Sequence, residues 1–359
     1  MRIGIDARMI EHSGIGTYIR NILLRLPELS DNEYVLFGDP NKLEKYNMPV
    51  IKSDFPIYSL AEQIFFPNVI KKAGLDLFHS MHYTMPVVYS GKIVVTIYDL
   101  IHLIFPEYLP SKLGCLYAKF MINSACKKSK KIITISENTK DDVMKYFSID
   151  SSKIRVIYLG VSEVFKPSEE KANIMRKEYG RYMLYVGLIK PHKNILRLIE
   201  VFRNLKRNKK VKHKLILIGK GKSPYINEVK EKILDYNMEK EILMFENIPI
   251  EKLVDFYCGS DLFVLPSLYE GFGLTLLEAM ACGCPVVTSN TSSLPEVVGD
   301  AGLMFNPYDI NSMEETIYNI LNDKTLSQNL IKKGFEQINK FSWKETAKSL
   351  LRVYEEVFV

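Results

Sequence analysis

The sequence contains no uninterrupted apolar run of about 18 residues, so nothing in it reads as a membrane-spanning helix. Its start, MRIGIDARMI, carries charge within the first eight residues and lacks the apolar stretch of a secretory leader. Cysteine is scarce: Cys115, Cys126, Cys258, Cys282 and Cys284, with no C-x-x-C pair. An odd number without paired spacing argues against a disulfide framework or a zinc site and leaves small buried thiols in a reducing compartment. A strong charge of one sign is also missing. The 48 Lys and Arg against 42 Asp and Glu give a net +6, scattered along the chain. That is too weak for a nucleic-acid surface, but it suits anionic small ligands or an anionic membrane face. With 47% hydrophobic and 25% charged residues, the composition is that of a folded globular protein. The chain is expected in the cytoplasm.

At 359 residues there is room for two domains. Short runs rich in Val, Ile and Leu alternate with longer amphipathic stretches. The runs at 2–6, 34–37, 75–79, 93–98, 131–135 and 155–157 predict one series of strands. Those at 182–186, 214–218, 242–245, 262–265, 285–288 and 302–305 predict a second. Being apolar on both faces, they read as parallel strands covered by helices on two sides. Helical patterns fall between them, for example at 17–26, 194–204 and 224–234. The fold class is therefore α/β, with two Rossmann-like, doubly wound domains. The rhythm pauses over 159–169, LGVSEVFKPSE, where a linker is placed. The expected division is 1–163 and 164–342. The tail is one more amphipathic helix, with Trp343, Ala347, Leu350, Leu351 and Tyr354 at helical spacing. Doubly wound sheets bind ligands beyond the carboxyl ends of their strands, and a crevice between the domains is expected to hold them.

One segment carries chemistry. In LFVLPSLYEGFGLTLLEAMACGCPVV a buried strand is broken by Pro266 and Ser267, and a loop follows with Glu270, Gly271, Phe272 and Gly273. A helix then starts near Leu274 and carries Glu278. Backbone N–H groups at a helix start attract an anion, and the glycines allow close approach. A carboxylate beside such a site accepts hydrogen bonds from vicinal hydroxyls, as a ribose or hexose presents them. The pattern points to a phosphorylated sugar. Lys193, at another predicted helix start, is unfavourably placed unless it meets an anion. Gly14 and Gly16 form a second glycine turn after the first strand. His79 reads as a satisfied structural histidine at a strand end. His82 and His102 are weaker site candidates. The basic amphipathic stretch 112–131 interleaves lysines with Leu113, Leu116, Tyr117, Phe120 and Met121, and either rests on anionic lipid or packs as an ordinary surface helix.

At these motifs the chain resembles glycosyltransferase family 4, the retaining enzymes of GT-B fold, and within it the O-antigen and capsule mannosyltransferase branch. Glu270 and Glu278 match the family's E-x7-E signature. SGIGTYIRN (13–21), DLFHSMHYTMP (76–86), VVTIYDLIHLIFPE (94–107), YVGLIKPHKN (185–194) and SSLPEVVGDAGLMFNP (292–307) follow in the family's order. The resemblance implies that Glu278 binds the donor ribose and Glu270 the donor sugar or adjoining phosphate. Backbone groups of Gly271, Phe272, Gly273 and Leu274 would hold the diphosphate and sugar, with Lys193 neutralising the leaving group and Lys190 as an extra cation. Asp99, Lys193 and Glu270 form the implied catalytic set. Gly14, Gly16 and Tyr98 would complete the donor surroundings. No cofactor or metal is expected, and no D-x-D triplet occurs. Leu188 and His192 stand where many relatives carry Arg, and Tyr98 where many carry a sugar-contacting His. The implied reaction moves a hexose, mannose from GDP-mannose by branch resemblance, to a free or lipid-linked saccharide. It would take place in the cytoplasm or at the inner face of the cytoplasmic membrane, with 112–131 touching the membrane. The terminal helix 343–359 is expected to cross back to the N-terminal domain. A non-catalytic nucleotide-sugar-binding protein and a nucleotide-sugar 2-epimerase of the same fold remain alternatives.

Overall fold

A computed structural model of the chain describes residues 1–108 and 112–358. Two compact units emerge: Met1–Gly160 together with Ser342–Val359, and Val161–Phe341.

The first unit is built on seven strands: β1 (Arg2–Asp6), β2 (Glu33–Gly38), β3 (Val50–Lys52), β4 (Leu77–Ser80), β5 (Ile93–Ile97), β6 (Lys131–Thr134) and β7 (Ile154–Val156). They pair in the order β3-β2-β1-β4-β5-β6-β7, all parallel. Every residue of β4 and β5 is buried, as apolar runs between two helical layers require. Sequence patterning did not show β3 or the helix Leu60–Lys72. The strand has three residues, and the helix leaves Leu60, Ile64 and Phe65 outward, which blurs its apolar stripe. The terminal helix Trp343–Phe358 belongs to this unit; Val359 lies outside the described residues. It is fixed by Tyr354, whose hydroxyl lies 2.7 Å from His79 Nδ1, and by Thr346, whose hydroxyl donates to the Tyr158 carbonyl at 2.7 Å. At Gly160 a Cβ would come within 2.1 Å of the Trp343 nitrogen, so only glycine lets the chain leave this unit past the helix.

The second unit has six strands: β8 (Tyr182–Val186), β9 (Lys214–Ile218), β10 (Ile242–Phe245), β11 (Leu262–Leu265), β12 (Val286–Ser289) and β13 (Gly302–Phe305). Their order is β10-β9-β8-β11-β12-β13, again all parallel. Counted from its own first strand, the second sheet runs 3-2-1-4-5-6, and the first runs in the same order with a seventh strand added at its end. Strand order reverses between β1 and β4 in one unit and between β8 and β11 in the other. Those reversals, at the carboxyl ends of the strands, are where such sheets accommodate ligands.

Candidate active site

In the second unit the reversal brings two loops together. After β8 the chain forms a 3-10 turn, Pro191–Lys193, then Asn194 in left-handed conformation (φ 61°), then the helix Ile195–Asn208. Asn194 is pinned by its side-chain amide, which donates to the Pro307 carbonyl at 2.9 Å. After β11 the chain breaks at Pro266 and runs through Glu270 to Gly273, where the helix Leu274–Ala281 begins. The two loops are stitched by the Leu268 N–H donating to the His192 carbonyl at 2.7 Å.

This stitch sets Lys193 Nζ 2.5 Å from Glu270 Oε1, both side chains about 15% exposed. The same carboxylate oxygen accepts from the Ser267 hydroxyl at 2.6 Å. The sequence reading left Lys193 awaiting an anion at a helix start; here Glu270 is that anion. An ammonium has three N–H donors, so this pairing leaves capacity for phosphate oxygens. Lys190 is exposed at the start of the 3-10 turn, His192 is buried, and Leu188 is half-buried.

Glu278, in the second turn of its helix, points to a partner that the sequence did not indicate. The Tyr257 hydroxyl, from the helix Ile250–Gly259, donates to Glu278 Oε2 at 2.9 Å. Burial pushes the Glu278 carboxyl up to about 7, against the opposing pull of that hydrogen bond. The residue as a whole is half-buried. Gly273 has φ 109° and begins the helix without a side-chain cap. Phe272 is buried edge-on to Phe341, 5.8 Å between ring centroids, while Gly271 and Leu274 are half-buried.

A third loop, after β12, braces the Glu270–Gly273 turn. The Glu270 N–H donates to Ser292 Oγ at 2.9 Å, and the Ser293 hydroxyl lies 2.9 Å from both the Glu270 and the Phe272 carbonyls. A Cβ on Gly273 would meet Leu294 Cδ2 at 2.9 Å. The block SSLPEVV was legible as a family motif; its bracing role was not, because serines in a loop carry no spacing signal.

The first unit places its candidates around its own strand reversal. Gly14 is left-handed (φ 64°) and open, whereas Gly16 is enclosed: a Cβ there would lie 2.3 Å from the Ile10 carbonyl oxygen. The preceding loop is held by a charge cluster that patterning did not reveal. Arg8 bonds Asp6 at 2.6 Å and Glu62 at 2.7 Å, all three side chains at most 7% exposed, with its guanidinium 4.1 Å above the Phe66 ring. Burial works against the Arg8 charge, yet the two carboxylates outweigh it and raise its pKa. Tyr98 is buried edge-on to Tyr18 at 5.7 Å, and its hydroxyl has no hydrogen-bond partner among the described residues. Asp99 Oδ1 accepts from the Ile101 N–H at 3.0 Å and so supports the turn that follows. His82 is buried 4.0 Å from the Tyr83 ring, and burial drives its pKa down to about 3. His79 is the satisfied structural histidine: besides Tyr354 it contacts Thr96 Oγ1 at 2.9 Å. Among the implied catalytic residues, the structure brings Lys193 and Glu270 into contact, while Asp99 belongs to the other unit. The cysteines divide differently from expectation. Cys126, Cys282 and Cys284 are buried, but Cys115 and Cys258 are only half so, because each sits at an outer helix turn.

The chain is similar to known proteins over both units. Residues 12–164 match the family model described as Glycosyltransferase Family 4, and residues 167–337 the one described as Glycosyl transferases group 1. The O-antigen chain mannosyltransferase B of Escherichia coli is 31% identical over 73% of this chain and 70% of its own. The serotype-specific mannosyltransferase WbdA of the same species is 30% identical over 78% of this chain, which spans only 36% of WbdA. Among solved structures, a sucrose-phosphate synthase from Thermosynechococcus elongatus superposes with a TM-score of 0.83 at 20% identity, covering 100% of this chain and 99% of its own. That likeness establishes the GT-B fold. With both halves matched and the E-x7-E glutamates carried by the loop and helix that follow β11, the chain belongs to glycosyltransferase family 4.

Proposed function

We propose that this glycosyltransferase moves mannose from GDP-mannose to a saccharide acceptor, carried on a lipid, in the synthesis of a cell-surface polysaccharide. The observation that carries the donor half is the contact of Lys193 with Glu270 beyond the carboxyl end of one sheet, with Glu278 on the helix that starts there. Mannose is supported by the names of the two E. coli relatives, about 30% identical to this chain.

In this reading Glu278 accepts hydrogen bonds from the ribose diol, and Glu270 with Ser267 meets the donor sugar. The backbone of Gly271–Leu274 faces the diphosphate, Lys190 adds positive charge nearby, and no metal or other cofactor takes part. The acceptor is bound by the first unit, in which Gly14, Gly16 and Tyr98 contribute to donor binding and Asp99 to catalysis. The reaction retains configuration. The C1–O bond to the diphosphate breaks, an acceptor hydroxyl bonds C1 from the same face, and its proton passes to the departing phosphate oxygen. Lys193 stabilises the charge that develops on that leaving group, which is where a positioned cation contributes most. The enzyme works in the cytoplasm, at the inner face of the cytoplasmic membrane.

Incubation with radiolabelled nucleotide sugars and a membrane lipid extract tests the proposal. Label from GDP-mannose should enter the lipid fraction. A donor sugar altered on its nucleotide would point instead to an epimerase, and tight donor binding without any turnover to a non-catalytic binding protein.

A further inference from the structure

Two thiols of the second unit meet beside the Tyr257–Glu278 contact, and the donor chemistry uses neither. Cys258 lies near the end of the helix Ile250–Gly259, and Cys282 caps the helix Leu274–Ala281. Cys258 follows Tyr257 directly. Cys282 lies one turn beyond Glu278, and its backbone N–H donates to the Glu278 carbonyl at 3.1 Å. The Tyr257 hydroxyl, donating to Glu278 Oε2 at 2.9 Å, bridges the same two helices. Beside that bridge the Cys282 thiol hydrogen-bonds to the Cys258 sulfur.

The two thiols differ in surroundings. Cys282 is buried, whereas Cys258 is only half-buried and so open to a small solute. As a thiol, Cys258 donates to the Lys166 carbonyl at 3.5 Å. Three features favour its thiolate. The Cys282 thiol donates to the sulfur, the backbone N–H of Ser168 does the same, and the Lys171 ammonium lies nearby. Ser168 is the cap of the helix Glu169–Tyr179, so the positive end of that helix faces the sulfur as well. Burial and Asp255, which pairs with Lys171 at 2.9 Å, oppose them. The hydrogen bond from Cys282 prevails and lowers the Cys258 pKa, while that of Cys282 moves up. An accessible thiolate beside a buried thiol is the arrangement of an attacking and a resolving cysteine. The third thiol nearby, Cys284, is turned to backbone carbonyls instead, those of Ser260 at 3.7 Å and Pro285 at 3.5 Å.

We propose that Cys258 and Cys282 form a reversible disulfide on exposure to hydrogen peroxide, and that this bond loosens the hold of Tyr257 on Glu278. The Cys258 thiolate attacks one peroxide oxygen, the O–O bond breaks, and the departing hydroxide takes up a proton to leave as water. The resulting sulfenic acid is attacked by the Cys282 sulfur. The S–S bond forms, the S–O bond breaks, and the hydroxyl leaves as a second water with the Cys282 proton. Two thiols are oxidised and one peroxide is reduced to two waters. A disulfide is about 2.0 Å long, shorter than any hydrogen bond, so the two helix ends must shift towards each other. That shift falls one residue from Tyr257 and one turn from Glu278.

The bond forms whatever the protein binds; only its effect on donor affinity rests on the proposed function. Mass spectrometry of the full chain, treated with peroxide and then cleaved at glutamate without reduction, tests the bond, because Glu270 and Glu278 separate the two cysteines. A peptide pair joined through Cys258 and Cys282 should appear, and dithiothreitol should remove it. Cys258→Ser should abolish the pair, and Cys284→Ala should leave it. In Cys282→Ala, Cys258 should instead persist as a sulfenic acid trapped by dimedone. Free thiols after peroxide, or a bond from Cys258 to Cys284, would overturn the proposal. Calorimetry with GDP-mannose then reads the consequence. Affinity should fall by about threefold to tenfold on oxidation, as for the loss of one hydrogen bond, and return on reduction. The reduced Cys258→Ser protein should bind like the reduced wild type and not respond to peroxide. Equal affinity of the oxidised and reduced wild type would overturn the link to Glu278, whereas absence of binding by the reduced wild type would count against the donor assignment instead.

Discussion

At the scale of single residues, Glu278 couples stability to donor recognition. Its carboxyl is raised from 4.5 to about 7 by burial. Below about pH 4.5 it is protonated in both folded and unfolded chains and costs nothing. As pH rises from 4.5 towards 7 the unfolded chain ionises first, so the folded state loses stability, by about 3 kcal/mol once both forms are ionised. Glu278→Gln should therefore be more stable than the wild type in urea denaturation at pH 8, with the advantage shrinking towards pH 5, even though it binds donor less well. Tyr98 offers the opposite test. Its buried hydroxyl has no partner among the described residues, so Tyr98→Phe should leave stability unchanged or raise it by up to about 1 kcal/mol in the same assay. A fall in turnover without a fall in stability would assign that hydroxyl to a substrate. The sequence made Glu270, Glu278 and Lys193 legible because each belongs to a spaced motif. It concealed Tyr257, which lies 21 positions before Glu278 on another helix, and the pairing of Lys193 with Glu270, which are 77 positions apart. Contacts of that kind are made by sheet topology and leave no local pattern.

At the scale of elements, the turn from β11 into the helix Leu274–Ala281 depends on one backbone conformation. Gly273 sits at φ 109° with Leu294 2.9 Å from where a Cβ would be. Gly273→Ala should lower stability by about 1–3 kcal/mol in thermal or chemical unfolding, and it should weaken donor binding by displacing the Glu270–Phe272 turn. Strands were the most legible elements, since runs buried on both faces stand out from amphipathic surroundings. Ends were less so: the run read as 93–98 stops at Ile97, and the helix read as 17–26 extends over Ile15–Leu29 through Pro27. The helix Leu60–Lys72 escaped the pattern because its apolar residues face both the core and the solvent.

For the whole molecule, the terminal helix matters more than its position in the chain implies. It returns to the first unit and holds His79 through Tyr354, at a site where burial drives the imidazole pKa down to about 3. Tyr354→Phe would leave a buried ring nitrogen unpaired and should cost about 1–3 kcal/mol in the unfolding of that unit, read by differential scanning calorimetry. The two units share the order of six strands without sharing a recognisable sequence repeat, because buried parallel strands constrain apolarity and length far more than identity. The proposed function requires that the Glu278 site of the second unit bind a nucleotide sugar. Isothermal titration of GDP-mannose into the wild type and into Glu278→Ala tests it most directly. Saturable binding by the wild type and a loss of about tenfold or more in the variant are expected, because a hydrogen-bonding carboxylate is removed. Equal affinities in the two proteins would contradict it.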